Sequence, residues 1–143
     1  MKIRDVMTKS VETIRPDANL IEAADRMRAL DVGPLPVAEG DRVVGLITDR
    51  DIVIRAIALG RDPRSTTVQS VMSQGVESCR PDDDVKKAAE LMRDKQIRRL
   101  VVLDDKGKLQ GILALGDLAV DTDDKMAGDT LEGISEPSQP ATH

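Results

Sequence analysis

Thr48 and Asp51 are the side chains whose types and spacing first raise a chemical question. They lie in Gly45-Leu46-Ile47-Thr48-Asp49-Arg50-Asp51-Ile52-Val53, where an apolar strand-like run meets the polar start of a helix. A hydroxyl three residues ahead of a carboxylate can cap that helix reciprocally. The Thr oxygen accepts from the Asp51 N–H, and the Asp51 carboxylate, in place of the commoner Glu or Gln, accepts from the Thr48 N–H. The same groups can also hold a ligand. A helix start offers N–H groups and a positive dipole end to an anion, and a carboxylate accepts two ribose hydroxyls well. The two roles are compatible, and these residues alone do not choose between them.

The residues needed for catalysis are not found together elsewhere. The one histidine, His143, is the last residue, and the one cysteine, Cys79, has no base beside it in sequence. No metal-ligand spacing and no phosphate loop with a lysine is present. The chain is expected not to be an enzyme and to have no tightly bound cofactor. Asp82-Asp83-Asp84 could suggest a cation site, but directly ahead of a helix they read more simply as capping and dipole residues. Phe, Tyr and Trp are all missing, so the core must be built from aliphatic residues and methionine, and a bound purine would find no aromatic ring to stack on.

Of the 26 acidic and 21 basic residues, six acids and one lysine fall in residues 121–143, which leaves residues 1–120 balanced. A neutral body lacks the basic field that nucleic-acid binding rests on. With no long apolar run, no secretory segment and an unpaired cysteine, the expectation is a soluble cytoplasmic protein with neither a membrane nor a nucleic acid as partner.

These residues are positioned by a duplicated unit. Residues 6–37 align without gaps on residues 71–102 at an offset of 65, with 13 of 32 positions identical. One extra residue near Asp104-Asp105-Lys106-Gly107-Lys108 then moves the offset to 66, so that Gly45–Val53 falls opposite Gly111-Ile112-Leu113-Ala114-Leu115-Gly116-Asp117-Leu118-Ala119. Cys79 takes the place of Ile14, which marks it as a core residue, and the equivalent Met27 and Met92 belong to the core of their helices. Each copy reads β-α-β-β-α, an α/β (α+β) fold class. In the first, Val11–Arg15 alternates like a half-buried strand, and Asn19 can cap a helix carrying Leu20, Ala23, Ala24, Met27 and Leu30. Leu35–Val37 and Val43–Ile47 are strands joined at Glu39-Gly40-Asp41, and a second helix runs from Asp49 to about Leu59, stopped by Gly60. The second copy gives strands at 76–80, 100–103 and 109–113, a helix from Asp84 to about Lys95, and a helix from about Gly116. The expected organisation is repeat one over residues 1–60, a linker at 61–66, repeat two over 67–120, and an acidic, mostly disordered tail over 121–143 in which Leu131–Ile134 could dock. One unit of this size buries little surface alone, so the two repeats should pack as a pair.

The chain resembles a tandem pair of CBS domains, the Bateman module, and in particular small stand-alone bacterial CBS-pair proteins of the hypoxic-response type. The carriers are Val6-Met7-Thr8 and Val71-Met72-Ser73, Arg15-Pro16-Asp17 and Arg80-Pro81-Asp82, and the Gly-led strand into a helix at Asp51 or Asp117. The resemblance implies a pseudo-two-fold pair with two clefts, commonly assembled as a homodimer, that binds an adenosine-containing small molecule and passes a signal to a protein target. AMP, ADP or ATP, and sometimes S-adenosylmethionine or a dinucleotide, would be the regulatory ligand. It further implies that the Asp takes the ribose and the Ser/Thr lies near phosphate. One cleft would then combine Thr48 and Asp51 with Ser73, Val76, Ile97 and Arg98. The other would combine Asp117 with Thr8, Val11, Thr13 and Val32. Arg98 and Arg99 match a basic pair that reaches phosphate, where the first copy has Gly33-Pro34, and Ala114 stands where the second copy should have a hydroxyl. Arg50 and Arg55 are expected at the surface or in a dimer contact. The expected function is an adenine-nucleotide sensor. The alternative is a structural or dimerisation module that binds no nucleotide.

Overall fold

The computed structural model describes residues 1–121; the tail expectations, including Leu131–Ile134, lie outside the described residues. The chain divides into two compact units that do not follow the linear repeats. One unit takes Met1–Ser10, Glu77–Lys106 and the chain from Gln110 onward; the other takes Val11–Val76 and Gly107–Leu109. The expected break at residues 61–66 is therefore not where the packed bodies divide.

The Val11–Val76 unit starts without the expected strand at 11–15. Only Ile14 pairs, as a single parallel bridge to Val37, through its N–H to Pro36 O at 3.0 Å and its carbonyl to Ala38 N–H at 3.0 Å. Pro16, which has no N–H to donate, follows at once and ends the run. Helix α1 spans Leu20–Leu30 and is capped by Asn19, whose side chain accepts from Glu22 N–H at 2.9 Å. Strands β2 (Pro34–Glu39) and β3 (Arg42–Thr48) form an antiparallel pair with an irregularity at Val37/Ala38. Helix α2 covers Asp49–Arg55 and is shorter than expected. Ala56 is fully buried and leaves helical geometry at φ −126°, Arg61 N–H returns to its carbonyl at 3.0 Å, and the chain tightens into a 3₁₀ turn at Ile57–Leu59 before Gly60. Residues 61–66 form a knot of local bonds: Thr66 Oγ1 and N–H both donate to Asp62 O, at 2.7 and 3.0 Å, and Arg64 N–H donates to Asp62 Oδ1 at 2.9 Å.

The second unit opens with the chain's first residues. Strand β1 (Thr8–Lys9) pairs antiparallel with β6 (Leu109–Ala114), and the sheet continues through β5 (Arg99–Leu103) to β4 (Ser78–Cys79), which is parallel to β5. Helix α3 spans Val85–Lys95 behind an Asp84 cap, and α4 spans Leu115–Asp121. The three consecutive acids take three separate tasks. Asp82 pairs with Arg4, Asp83 accepts from Arg80 N–H at 3.0 Å, and Asp84 caps α3 through Lys86 N–H at 2.9 Å.

Interleaving of the repeats follows the duplication closely. Val68 N–H donates to Ala18 O at 2.8 Å and Gln69 N–H to Pro16 O at 3.0 Å; at the same positions of the other copy, Ile3 N–H donates to Asp83 O and Arg4 N–H to Pro81 O, both at 2.9 Å. Each opening segment thus packs against the first helix of the other repeat's sequence. Ile3 lies in one core with Cys79, Val85, Met92, Leu100, Leu113 and Leu118, whereas Val68 and Val71 lie in the other with Ile14, Leu20, Met27, Leu35 and Ile47. Full burial of each such side chain stabilises by about 1.5–3 kcal/mol. The opening segments therefore help define the cores and are not loose leaders. The chain changes unit after Ser10 and again after Val76, and the equivalent turn residues Ser10 and Gly75 both adopt left-handed backbone, at φ 56° and 65°.

Candidate functional site

At the β3–α2 junction the reciprocal cap is complete. Thr48 leaves the strand with extended backbone, φ −121° and ψ 163°, so its side chain meets the first turn of the helix. Its Oγ1 accepts from Asp51 N–H at 3.1 Å, and Asp51 Oδ2 accepts from Thr48 N–H at 2.9 Å. The Asp51 side chain is 15 % exposed, and its Oδ1 lies 3.9 Å from Arg55 Nε. Capping therefore occupies one carboxylate oxygen and leaves acceptor capacity on the other, since a carboxylate offers about four lone-pair directions. Arg55 also donates from Nη1 to the carbonyls of Val71 and Met72, at 3.3 Å each, which fastens α2 to the repeat-two opening segment. That places Arg55 in a defined structural role that its sequence position, read as surface or dimer contact, did not show.

That segment is held hard against the site. Leu46 N–H donates to Ser73 O at 3.0 Å and Ser73 N–H to Leu46 O at 2.9 Å. This approach requires Gly45. A Cβ there would lie 2.7 Å from Ser73 O and 2.6 Å from Met72 Sδ. Gly111 plays the same part in the other unit, where a Cβ would collide with the Thr8 carbonyl. Both glycines had a readable signal in their shared place before the strand–helix junction, but the partner that requires them is distant in sequence.

At the β6–α4 junction half of the cap survives. Ala114 offers no hydroxyl, yet Asp117 Oδ2 still accepts from Ala114 N–H at 2.8 Å, a bond that needs only the backbone of residue 114. Residues 33 and 98 are equivalent again: Asp49 N–H donates to Gly33 O at 3.1 Å and Leu115 N–H to Arg98 O at 2.8 Å. Arg98 is thereby fixed at the start of α4. Its Nε is buried and has no acceptor among the described residues. A buried N–H left without an acceptor costs about 1–3 kcal/mol.

The compact units sort the expected site residues. Thr48, Asp51, Ser73 and Val76 fall in one body together with Val11, Thr13 and Val32; Thr8, Ile97, Arg98, Arg99 and Asp117 fall in the other. Ser73 and Thr8 are exposed, Val32 is exposed, and the remainder are half-buried. Within its unit Thr8 stands opposite Ile112, and Ser73 is bridged to Leu46, so each junction has a hydroxyl-bearing residue on the neighbouring edge. Ile97 and Arg98 belong to a different body from Thr48, and Val11, Thr13 and Val32 to a different body from Asp117.

Cys79 is buried as its alignment with Ile14 implied, and that burial pushes its thiol pKa from 9.0 up to about 12. Such a thiol is not a nucleophile near neutral pH. Met27 and Met92 are core residues, as expected. Among the described residues no group of His, Cys, Asp and Glu could hold a metal ion, and no helix is long and apolar enough to cross a membrane.

Two β-α-β-β-α repeats with exchanged opening segments, each ending in a Gly-led strand that turns into an Asp-bearing helix, define a tandem regulatory-type module of mixed α/β structure. The CBS domain model matches residues 3–57 and 68–121, and the chain belongs to the CBS-domain family. It is 42 % identical over 134 residues to the CBS domain-containing protein YhcV of Bacillus subtilis, covering 93 % of this chain and 94 % of that one. Hypoxic response protein 1 of Mycobacterium tuberculosis is 32 % identical over 117 residues, 81 % of each chain, in keeping with the hypoxic-response resemblance. A solved CBS domain pair of the protein MJ0100, in complex with 5-methylthioadenosine and S-adenosyl-L-methionine, superposes with a TM-score of 0.74 at 26 % identity, over 83 % of this chain and 93 % of that one.

Proposed function

We propose that this protein is a non-enzymatic sensor of an adenosine-containing ligand, that the ligand's ribose is taken by Asp51, and that the chain self-associates and acts through another protein. The observation that carries this reading is the Asp51 carboxylate, half-buried at the strand–helix junction with one oxygen on Thr48 N–H and the other without a close partner, 3.9 Å from Arg55. Thr48 and Ser73 supply hydroxyls beside it, and Val76 an apolar contact. In the other unit Asp117 takes the ribose role, with Thr8 beside its strand, and Arg98 and Arg99 receive an anionic group. The unmet Arg98 Nε supports that assignment. The family and the adenosyl ligands in the MJ0100 complex support the ligand class. AMP, ADP, ATP and S-adenosylmethionine are the candidates, and a cytoplasmic setting fits such ligands.

The completeness of the Thr48–Asp51 cap favours one competing reading, a dimerisation module in which both residues only cap a helix. Thermal unfolding of the full chain with AMP, ADP, ATP, NAD, S-adenosylmethionine and methylthioadenosine separates the two. A ligand at 100 times its dissociation constant adds about 2.7 kcal/mol, enough for a rise of several degrees. Asp51→Asn keeps an oxygen for the Thr48 N–H and removes the charge, so it should retain the fold and lose the shift. No shift in the wild type with any of these compounds at millimolar concentration would establish the capping reading.

A further inference from the structure

We propose that Met7 and Met72 are a matched pair of oxidation sites, and that a peroxide converting them to the sulfoxide loosens each opening segment from the strand it clamps. The two residues occupy the same place in the duplication, and each lies against the glycine of the other repeat's strand. A Cβ at Gly45 would stand 2.6 Å from Met72 Sδ, and one at Gly111 would stand 3.0 Å from Met7 Sδ. Each thioether therefore fills the room that a side chain on that glycine would take. Both methionines pack on the edge of a core and are only partly buried.

Their surroundings single these two sulfurs out. A peroxide gives one oxygen atom to a thioether: sulfur supplies the electron pair of the new S–O bond, the O–O bond breaks, and the remaining oxygen leaves as water. Sulfur is thereby oxidised by two electrons and the peroxide reduced by two. Met27 and Met92 are 6 and 0 % exposed, and Cys79 is buried and held as the thiol, so none of these meets the reagent freely. No Tyr or Trp competes for it. The product is polar, and the space beside each glycine is bounded by a backbone acceptor, Ser73 O in one unit and Thr8 O in the other. A sulfoxide oxygen is repelled there and must turn outward to water, which empties the seat. What then loses support is the Leu46–Ser73 pair of bonds and the pairing of Thr8 with Ile112. Arg55 Nη1 holds the Met72 carbonyl at 3.3 Å, so the change at Met72 also reaches α2. Only that last consequence touches the ligand reading; the modification itself is read by mass and melting point alone.

Hydrogen peroxide applied to the full chain at neutral pH, followed over time by peptide mass spectrometry, tests the sites. Met1, 57 % exposed, is the freely reacting reference. Met7 and Met72 should take up oxygen at least about tenfold faster than Met27 and Met92, which must wait for their cores to open. The oxidised protein should melt lower by about 5 °C, the shift expected when two partly buried side chains leave their seats. Methionine sulfoxide reductases acting on both epimers should restore the melting point. The double variant Met7→Leu, Met72→Leu keeps apolar side chains of similar volume and should melt close to the wild type. Peroxide should no longer lower its melting point, although it still carries Met1 and Met126. Oxidation of Met7 and Met72 as slow as that of Met27 and Met92 overturns the sites, and that result needs no variant. An unchanged melting point once both are oxidised, or an equal fall in the double variant, overturns the loosening. A screen in which no adenosine compound binds leaves each of these readings standing.

Discussion

Replacing Gly45 by Ala tests whether the close approach of the opening segment, more than any backbone freedom of glycine, dictates that residue. Gly45 does not have a positive φ, so alanine meets no conformational penalty there. On backbone grounds alone, Gly→Ala should stabilise by about 0.4–1 kcal/mol through the unfolded chain. Against this stands the new Cβ, 2.7 Å from Ser73 O and 2.6 Å from Met72 Sδ. The thioether can swing away, but the carbonyl cannot move without disturbing the paired Leu46–Ser73 bonds at 3.0 and 2.9 Å. Overpacking of this kind costs about 1–3 kcal/mol, and weakening two backbone bonds adds roughly 0.5–1.5 kcal/mol each. After the entropic gain is set against these, the net loss is about 1–5.6 kcal/mol. At about 3 °C per kcal/mol for a chain of this size, calorimetry should show a melting point lower by about 3–17 °C. Gly116→Ala is the control, since a Cβ there meets nothing within 4 Å and the position is helical. It should stabilise by about 0.5–1 kcal/mol. If Gly45→Ala melts at or above the wild-type temperature, the segment is not clamped against β3 as described. The same experiment at Gly111, with the Thr8 carbonyl in the way, should show the same sign.

Three further outcomes are expected. Ala114→Ser supplies the missing hydroxyl opposite Asp117, whose carboxylate already accepts from the backbone N–H of residue 114, and should raise stability by about 1 kcal/mol in chemical denaturation. Ser10→Gly removes a non-glycine residue from φ 56° at a position where the other repeat has Gly75, and should stabilise by up to about 1 kcal/mol, measured the same way. The Cys79 thiol, raised from 9.0 to about 12 by burial, ionises more readily unfolded than folded. Its contribution is present below pH 9 and lost as pH climbs towards 12, at a slope of at most about 1.4 kcal/mol per pH unit. Stability measured at pH 8 and pH 10 should fall less in Cys79→Val than in the wild type, and equal falls in the two proteins would refute the buried-thiol account.

Most of the regular elements were legible because they are fixed by local physics. Asn19 and Asp84 start their helices, the aliphatic runs at 35–37, 43–47, 100–103 and 109–113 lie in strands, and Met27 and Met92 sit in the cores at their expected helical phase. The alternation at 11–15 misled, because a strand needs a neighbour over its whole length and only Ile14 finds one. The length of α2 misled for a related reason: Val53, Ile54 and Ile57 continue a helical period, but burial of Ala56 and the return of Arg61 N–H to its carbonyl turn the chain first. The largest departure was the exchange of the opening segments. Nothing in Val6-Met7-Thr8 or Val71-Met72-Ser73 states which helix each will pack on, since pairing between residues far apart in sequence leaves no local periodicity.

The exchange also bears on how the candidate site can signal. Ser73 reaches Thr48's strand through backbone bonds, and Arg55 donates to the carbonyls of Val71 and Met72 just before it, so under the proposed function a ligand held by Asp51 or Ser73 would act on residues 71–73. These residues continue through Gly75, at φ 65°, into the chain that becomes β4 of the other unit. A ligand can shift such an arrangement only by as much as it binds its two states differently. The asymmetry between the junctions therefore matters. The Thr48–Asp51 cap is closed by protein groups alone, whereas Arg98 Nε is buried with no acceptor among the described residues. Under the proposed function, an anionic adenosine ligand should gain more from the unit that contains Arg98, and an uncharged one from the unit that contains the complete cap. Arg98→Gln should accordingly reduce the thermal shift by ATP more than that by methylthioadenosine. Equal losses for both ligands would mean that Arg98 supports the fold of its unit and does not distinguish their charge.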